Sequence, residues 1–180
     1  MVSPDIHPLS PVTLVLGGAR SGKSLHAESL IETRGRGLYL ATATAGDDEM
    51  AARIDAHRAR RGSLWQTVEE PLDLVGALRQ HARADRPILV DCLTLWLNNL
   101  MGAGRDPAAE TAALVAGLRG LPGAVVLVSN EVGGGIVPAN ALARAFADAT
   151  GGLNQAVAAA ADRVVLVVAG IPVPLKGETP

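Results

Sequence analysis

The chain has 180 residues, of which 48% are hydrophobic and only 2% aromatic, and its formal net charge is −2. This length suits one domain with a sizeable core, while the charge and the scarcity of stacking side chains disfavour a nucleic-acid binder. A single cysteine, an N-terminus without a signal-peptide profile and the absence of an apolar run of roughly 20 residues predict a cytoplasmic protein without a membrane span.

Short apolar runs recur along the chain after a proline-containing lead-in at residues 1–11. They cover residues 12–16, 37–41, 87–90, 124–128 and 163–168, and such runs are typical of parallel strands buried on both faces. Helix-like stretches alternate with them, at residues 23–33, 47–61, 72–84, a divided 95–118 and 138–161. This alternation predicts one α/β domain over residues 12–180, with three layers and a mainly parallel sheet.

A glycine-rich segment joins the first predicted strand to the first predicted helix. Its residues are Gly17, Gly18, Ala19, Arg20, Ser21, Gly22, Lys23 and Ser24. They match the P-loop pattern, in which backbone N–H groups and a helix N-terminus face a phosphate chain. We expect Lys23 to reach the β- and γ-phosphates as a catalytic group and Ser24 to ligate Mg²⁺. The predicted fold is therefore of the P-loop NTPase type, with a triphosphate as ligand.

Asp91 follows the apolar run at residues 87–90. A carboxylate at the carboxyl end of a parallel strand faces the ligand crevice. Asp91 is therefore expected to hold Mg²⁺, directly or through water, or to bind another part of the nucleotide. The alternative is a structural one, in which Asp91 caps the N-terminus of the following helix.

Residues 47–61 have acids in the first turn and bases in the last, which predicts a helix aligned with its own dipole. Met50, Ile54 and His57 share one face of it, so one interpretation of His57 is a residue at the edge of the core. The other is a nucleophile, because the nearby arginines would neutralise phosphate charge while an imidazole nitrogen attacks phosphorus.

The segment Asn130-Glu131-Val132-Gly133 lacks the lysine and the aspartate with which regulatory GTPases recognise guanine. The segment after Asp91 also lacks the glycine of a switch that senses loss of the γ-phosphate. A molecular switch is therefore disfavoured. A small kinase, a nucleotidyltransferase and a nucleotide-gated binding module remain.

Several further segments match one known pattern: residues 48–54 with His57, residues 91–97, 129–138, 152–155 and 169–172. Together with the P-loop, they make the chain resemble the bifunctional adenosylcobinamide kinase / adenosylcobinamide-phosphate guanylyltransferase family of cobalamin biosynthesis. The resemblance covers about residues 12–176.

The resemblance implies two reactions on one nucleotide-binding domain. Adenosylcobinamide is phosphorylated by ATP or GTP, and GMP is then transferred from GTP to adenosylcobinamide phosphate, giving adenosylcobinamide-GDP. By motif position, His57 is the catalytic residue that carries GMP as a covalent intermediate, and His26 is a packing or surface residue. The family's habit also implies a homo-oligomer, specifically a trimer.

The matched positions imply further contacts with the nucleotide. These residues are Thr42, Ala43, Thr44, Ala59, Arg60, Arg61, Gly62 and Glu69, with Glu69 chosen over Glu70. Thr42 has an alternative interpretation as a hydroxyl that satisfies a strand end. Some relatives place Glu at the position of Asp91, so guanine contact stays an alternative to metal binding there.

The loop at residues 130–138 is expected either to shape the corrinoid pocket or to be an ordinary flexible loop, with Pro138 suited to begin a helix. Two rival functions remain at this point. One is a small-molecule kinase without a covalent step, and the other is a nucleotide-regulated binding protein.

Overall fold

The computed structural model describes residues 9–44 and 62–177. Within them, seven strands form one sheet and five helices cover it. The strands are β1 (Val12–Gly17), β2 (Gly37–Ala41), β3 (Trp65–Glu69), β4 (Ile88–Asp91), β5 (Val125–Asn130), β6 (Arg163–Val168) and β7 (Ile171–Lys176). The helices are α1 (Lys23–Glu32), α2 (Leu74–His81), α3 (Leu93–Gly102), α4 (Pro107–Leu118) and α5 (Ala141–Ala160). The predicted helix at 47–61 and residues 1–8 of the predicted lead-in lie outside the described residues.

The strand order is β3-β2-β4-β5-β1-β6-β7, and every neighbouring pair is parallel except β6 with β7. The mainly parallel sheet predicted from the sequence is therefore confirmed. All five predicted strands are present, but β3 and β7 were not predicted. Both are edge strands, and most of their side chains are exposed, so neither carries the continuous apolar run of a buried strand.

The sheet lies between two helical layers. Helix α1 packs on one face, where Ala27, Leu30 and Ile31 contact side chains from the central strands. Helices α2 to α5 contribute buried residues to a larger cluster on the other face, with Trp96 among its fully buried members. The three-layer prediction is confirmed for the described helices. No helix in the described ranges is both long enough and apolar enough to cross a bilayer.

Polar side chains determine where three of these helices begin. Asp73 caps α2 by accepting from the N–H of Gly76, and Asp106 caps α4 just before Pro107. The prediction that Pro138 begins the last helix is wrong. Helix α5 begins at Ala141 because the Asn140 side chain accepts from the first N–H groups of that helix.

Candidate nucleotide-binding site

The P-loop connects β1 to α1 through a turn that depends on two of its glycines. Gly22, the residue just before α1, has a φ of 94°, a left-handed conformation that side chains disfavour. Gly17 is in a crowded place: a Cβ there would lie 2.4 Å from Ser21 Oγ and 2.7 Å from the carbonyl oxygen of Val167. Local sterics therefore favour glycine at both of these positions of the predicted motif.

The N-terminus of α1 is arranged to accept an anion. Gly22 provides no side-chain cap, and the first turn of the helix carries no acidic residue. The N–H groups of that turn are consequently available to an oxyanion at the positive end of the helix dipole. Lys23 adds a cation there, and its Nζ donates to the carbonyl oxygen of Gly18 at 3.1 Å. This geometry is that of a phosphate-binding loop.

Two neighbouring segments hold the P-loop in place. The N–H of Gly170, in the turn between β6 and β7, donates to the carbonyl of Ser21 at 2.8 Å. The N–H of Glu131 donates to the carbonyl of Gly17 at 3.1 Å. The P-loop is therefore braced from both sides by the ends of adjacent strands.

Asp91 lies at the carboxyl end of β4, and its Oδ2 accepts a hydrogen bond of 2.6 Å from the hydroxyl of Tyr39. In the sheet, Asp91 pairs with Val128 of β5, which pairs in turn with Val15 of β1. One strand therefore separates the strand of Asp91 from the strand of the P-loop. The alternative interpretation of Asp91 as a helix cap is wrong, because Cys92 occupies the N-cap position of α3 and makes no side-chain cap.

The pKa of Cys92 depends on the charges around the end of β4. Burial, followed by the negative charge of Asp91, raises the pKa of the Cys92 thiol to about 12, and Lys23 opposes this shift. Both charges therefore act on one buried thiol. The lysine and the carboxylate, which the sequence placed on different motifs, thus both influence the pKa of Cys92.

Thr42 stands just beyond β2, and its buried hydroxyl donates to the carbonyl of Cys92 at 2.7 Å and accepts from the Cys92 N–H at 2.9 Å. Its own N–H donates to the Asp91 carbonyl, and its carbonyl accepts from Asn99 Nδ2. The hydroxyl of Thr42 thus satisfies strand ends, as the alternative interpretation predicted. Ala43, which is partly buried, and Thr44, which is exposed, follow it.

The two glutamates after Trp65 have different environments. Glu69 is exposed at the carboxyl end of β3, beside Ala41 of β2. Glu70 instead uses Oε1 to accept from the backbone N–H groups of Leu72 and Asp73. Glu70 is therefore committed to the loop before α2, and the nucleotide contact of Glu69 stays a prediction.

A cleft of about 520 Å³ lies against the P-loop. Its walls come from Gly18 to Ser21, from the loop that follows β5, and from the end of β6. The loop contributes Glu131, Val132, Gly134 and Gly135. The glycine-rich loop predicted to shape a substrate pocket thus lines a cleft that reaches the phosphate-binding loop.

The described residues include only part of the predicted site. His57, Ala59, Arg60 and Arg61 lie outside the described ranges, and Gly62 is the first described residue after them. His26 is in α1, where burial and then the charge of Arg163 lower its pKa.

Sequence reasoning missed three residues that organise the site: Tyr39 beside Asp91, Asn99 beside Thr42, and Thr94, whose Oγ1 accepts from the N–H of Asn130 at 2.7 Å. Each acts on a residue at least 36 positions away in the sequence. The one available signal was that Tyr39 and Thr94 are polar residues inside apolar segments.

Comparison with known proteins identifies sequence relatives along nearly the whole chain. The protein-family model described as cobinamide kinase / cobinamide phosphate guanyltransferase matches residues 13–175. The Bifunctional adenosylcobalamin biosynthesis protein CobP of Pseudomonas aeruginosa is 53% identical over 169 residues, which cover 92% of this chain and 97% of the relative. The Bifunctional adenosylcobalamin biosynthesis protein CobU of Escherichia coli is 45% identical over 178 residues, covering 91% and 98% respectively.

Solved structures provide a separate comparison of the fold. A protein from Pyrococcus horikoshii OT3 is similar with a TM-score of 0.58 at 9% identity, covering 97% of this chain and 90% of that one. An ATPase from the type III secretion system of pathogenic bacteria has a TM-score of 0.52 at 10% identity, covering 87% and 50%. At such identities the likeness concerns the fold alone, and it agrees with the predicted P-loop NTPase type.

Proposed function

This chain belongs to the cobinamide kinase / cobinamide phosphate guanyltransferase family, and we propose on that basis that it catalyses two successive transfers. Adenosylcobinamide is phosphorylated by ATP or GTP, and adenosylcobinamide phosphate then receives GMP from GTP to give adenosylcobinamide-GDP. The observation that carries the proposal is the family match over residues 13–175, on a chain whose P-loop is braced and open to an anion.

The P-loop supports both steps because it can hold the same triphosphate while a different phosphorus is attacked. In the kinase step the substrate hydroxyl attacks the γ-phosphorus and the nucleoside diphosphate leaves. In the transfer step the α-phosphorus is attacked and pyrophosphate leaves. In both steps, Lys23 and the N–H groups at the start of α1 stabilise negative charge on the phosphate groups.

The donor set fits Mg²⁺. The Ser24 hydroxyl in the first turn of α1 and the Asp91 carboxylate at the end of β4 are hard oxygen ligands. Among residues 9–44 and 62–177, no group of three His, Cys, Asp or Glu side chains forms a dedicated metal cage. Mg²⁺ typically keeps several waters and uses one or two carboxylates together with substrate phosphates. A small number of protein ligands therefore suits it. When bound, it would neutralise charge on the phosphates.

We assign the covalent step to His57 on the family resemblance. An imidazole nitrogen bonds to the α-phosphorus of GTP as the bond from that phosphorus to the bridging oxygen breaks, and pyrophosphate departs. A phosphate oxygen of adenosylcobinamide phosphate then bonds to the same phosphorus, and the P–N bond breaks. Dividing the transfer in this way gives a weak phosphate nucleophile an activated acceptor.

The first prediction concerns this intermediate. Incubation with α-labelled GTP should leave label on the protein in an acid-labile, alkali-stable bond, whereas γ-labelled GTP should leave none. His57→Ala should abolish the α-label because it removes the nucleophilic nitrogen. His26→Ala is the matched control, because it also removes an imidazole, this one from the P-loop helix. His26 has no part in the proposed step, so labelling of this variant should stay intact.

The possible outcomes separate the rival functions. Undiminished α-labelling in His57→Ala would overturn the assignment of His57. Phosphorylation of adenosylcobinamide without any adduct would favour a kinase that has no covalent step. Nucleotide binding without either reaction would favour a nucleotide-regulated binding protein.

Two further expectations belong to this proposal and stay predictions: a homotrimer and a cytoplasmic location. Large apolar side chains on the loop after β5 and at the start of α5 support self-association, because Ile136, Val137 and Leu142 are mostly exposed. Whether this loop also contacts the corrinoid stays a prediction as well.

A further inference from the structure

Tyr39 is a buried tyrosine whose hydroxyl points at the one carboxylate on the end of β4. Its side chain is 3% exposed, and its hydroxyl donates to Asp91 Oδ2 at 2.6 Å. A hydrogen bond of this length to an ionised acceptor is charge-assisted and stronger than a neutral one. Asp91 therefore has one oxygen with a fixed protein partner.

The surroundings of the Tyr39 ring hold this hydroxyl in position. The ring meets Trp65 edge to face, with centroids 5.8 Å apart and an interplanar angle of 85°. Trp65 is held in turn, because its Nε1 donates to Glu32 Oε1 at 2.8 Å. Gly37 leaves room for the indole, since a Cβ there would lie 2.8 Å from it. A line of contacts thus runs from the end of α1 to Asp91.

We propose that Tyr39 is a positioning residue that makes Asp91 a one-oxygen ligand of the divalent cation and thereby favours Mg²⁺ over Ca²⁺. The hydrogen bond commits Oδ2 to Tyr39, so in this proposal Oδ1 is the oxygen that meets the cation. This inference rests on the proposed function, in which Asp91 helps to hold the metal that accompanies the nucleotide.

The ligand chemistry of the two cations gives the reason for the preference. Mg²⁺ demands near-ideal octahedral geometry at 2.0–2.1 Å, which one carboxylate oxygen suits. Ca²⁺ accepts more ligands at longer distances and readily takes both oxygens of a carboxylate. Removing the Tyr39 hydroxyl frees Oδ2 and lets the carboxylate turn, so the site should lose selectivity as well as affinity.

The test uses Tyr39→Phe and measures how much each cation tightens the binding of a fluorescent, non-hydrolysable GTP analogue. Dissociation constants are determined with Mg²⁺, with Ca²⁺ and with EDTA alone. In Tyr39→Phe we expect the tightening by Mg²⁺ to shrink by about 10-fold, the usual scale for loss of a residue that orients a metal ligand. The tightening by Ca²⁺ should be unchanged or larger.

Two reference variants make the result interpretable. Thr150→Val removes another buried hydroxyl, one that donates to the Phe146 carbonyl within α5, and should leave both metal effects at their wild-type values. Asp91→Asn should lose the tightening by Mg²⁺. Thermal unfolding of each variant checks the fold.

The outcomes distinguish this inference from the proposed function. If Asp91→Asn loses the Mg²⁺ effect and Tyr39→Phe keeps it, Tyr39 does not position the ligand and the inference is wrong. If Tyr39→Phe weakens binding equally in EDTA and in Mg²⁺, its role is structural only. If Asp91→Asn keeps the Mg²⁺ effect, the metal role of Asp91 fails, and the inference fails with it, while the labelling test of His57 still stands.

Discussion

At the scale of single residues, Cys92 shows how the site controls reactivity. The thiol is 6% exposed, and burial together with the charge of Asp91 raises its pKa from 9.0 to about 12. A thiol with a pKa of about 12 is almost entirely protonated at pH 8, and the thiolate is the reactive form. We therefore expect iodoacetamide to label the native protein far more slowly than the urea-unfolded chain, as followed by mass spectrometry. Equal labelling rates in the two states would contradict this.

Individual site residues were predictable where a local motif specifies them. Gly17, Gly22 and Lys23 belong to one contiguous segment, so their roles follow from their spacing. Tyr39 could not be found in this way, because its partner is 52 positions away in the sequence and only the pairing of β2 with β4 brings the two together. The register of a sheet is a tertiary property that local spacing does not report.

At the scale of elements, a buried hydrogen-bond network fixes the end of β5. Ser129 Oγ donates to Asn154 Oδ1 at 2.7 Å, Asn154 Nδ2 donates to the Asn130 carbonyl at 3.0 Å, and Thr94 Oγ1 accepts from the Asn130 N–H. Asn154→Ala leaves partners unsatisfied in the interior, so it should lower the free energy of unfolding by about 1–3 kcal/mol. Urea denaturation measures the change. Gln155→Ala, on the exposed side of the same helix, is the control and should change it by less than about 0.5 kcal/mol.

Burial and capping determine which elements the sequence predicts. Buried strands such as β5 are continuous apolar runs, and their sequence alone predicts them. The edge strand β3 contains polar residues and β7 is interrupted by two prolines, so neither is a continuous run of strand-forming apolar residues, and each pairs with only one neighbouring strand. The start of α5 was missed because the capping side chain of Asn140 outweighs the suitability of Pro138.

At the scale of the whole molecule, the layered α/β architecture was predictable but the strand order was not. Alternating apolar runs and helix-like stretches predict a covered parallel sheet whatever the order of its strands. The order itself, with β5 between the strand of the P-loop and the strand of Asp91, depends on packing between distant segments. For His57 the sequence left two interpretations open, and the choice between them came from resemblance to a family.

At the β7 edge of the sheet, we expect two prolines to hinder strand addition. Pro172 and Pro174 pair with Val167 and Val165 of β6, so they occupy equivalent positions of an antiparallel ladder. Because proline has no N–H, we expect both to face outward, where they deprive the edge of two donors. Exchanging both for threonine should restore those donors on an exposed strand that also carries Ile171, and so promote association beyond the wild-type state. Light scattering over a concentration series measures this, with Pro107→Ala at the start of α4 as a proline substitution away from the edge. If the doubly substituted protein scatters like the wild type at every concentration, the two prolines are not what protects this edge.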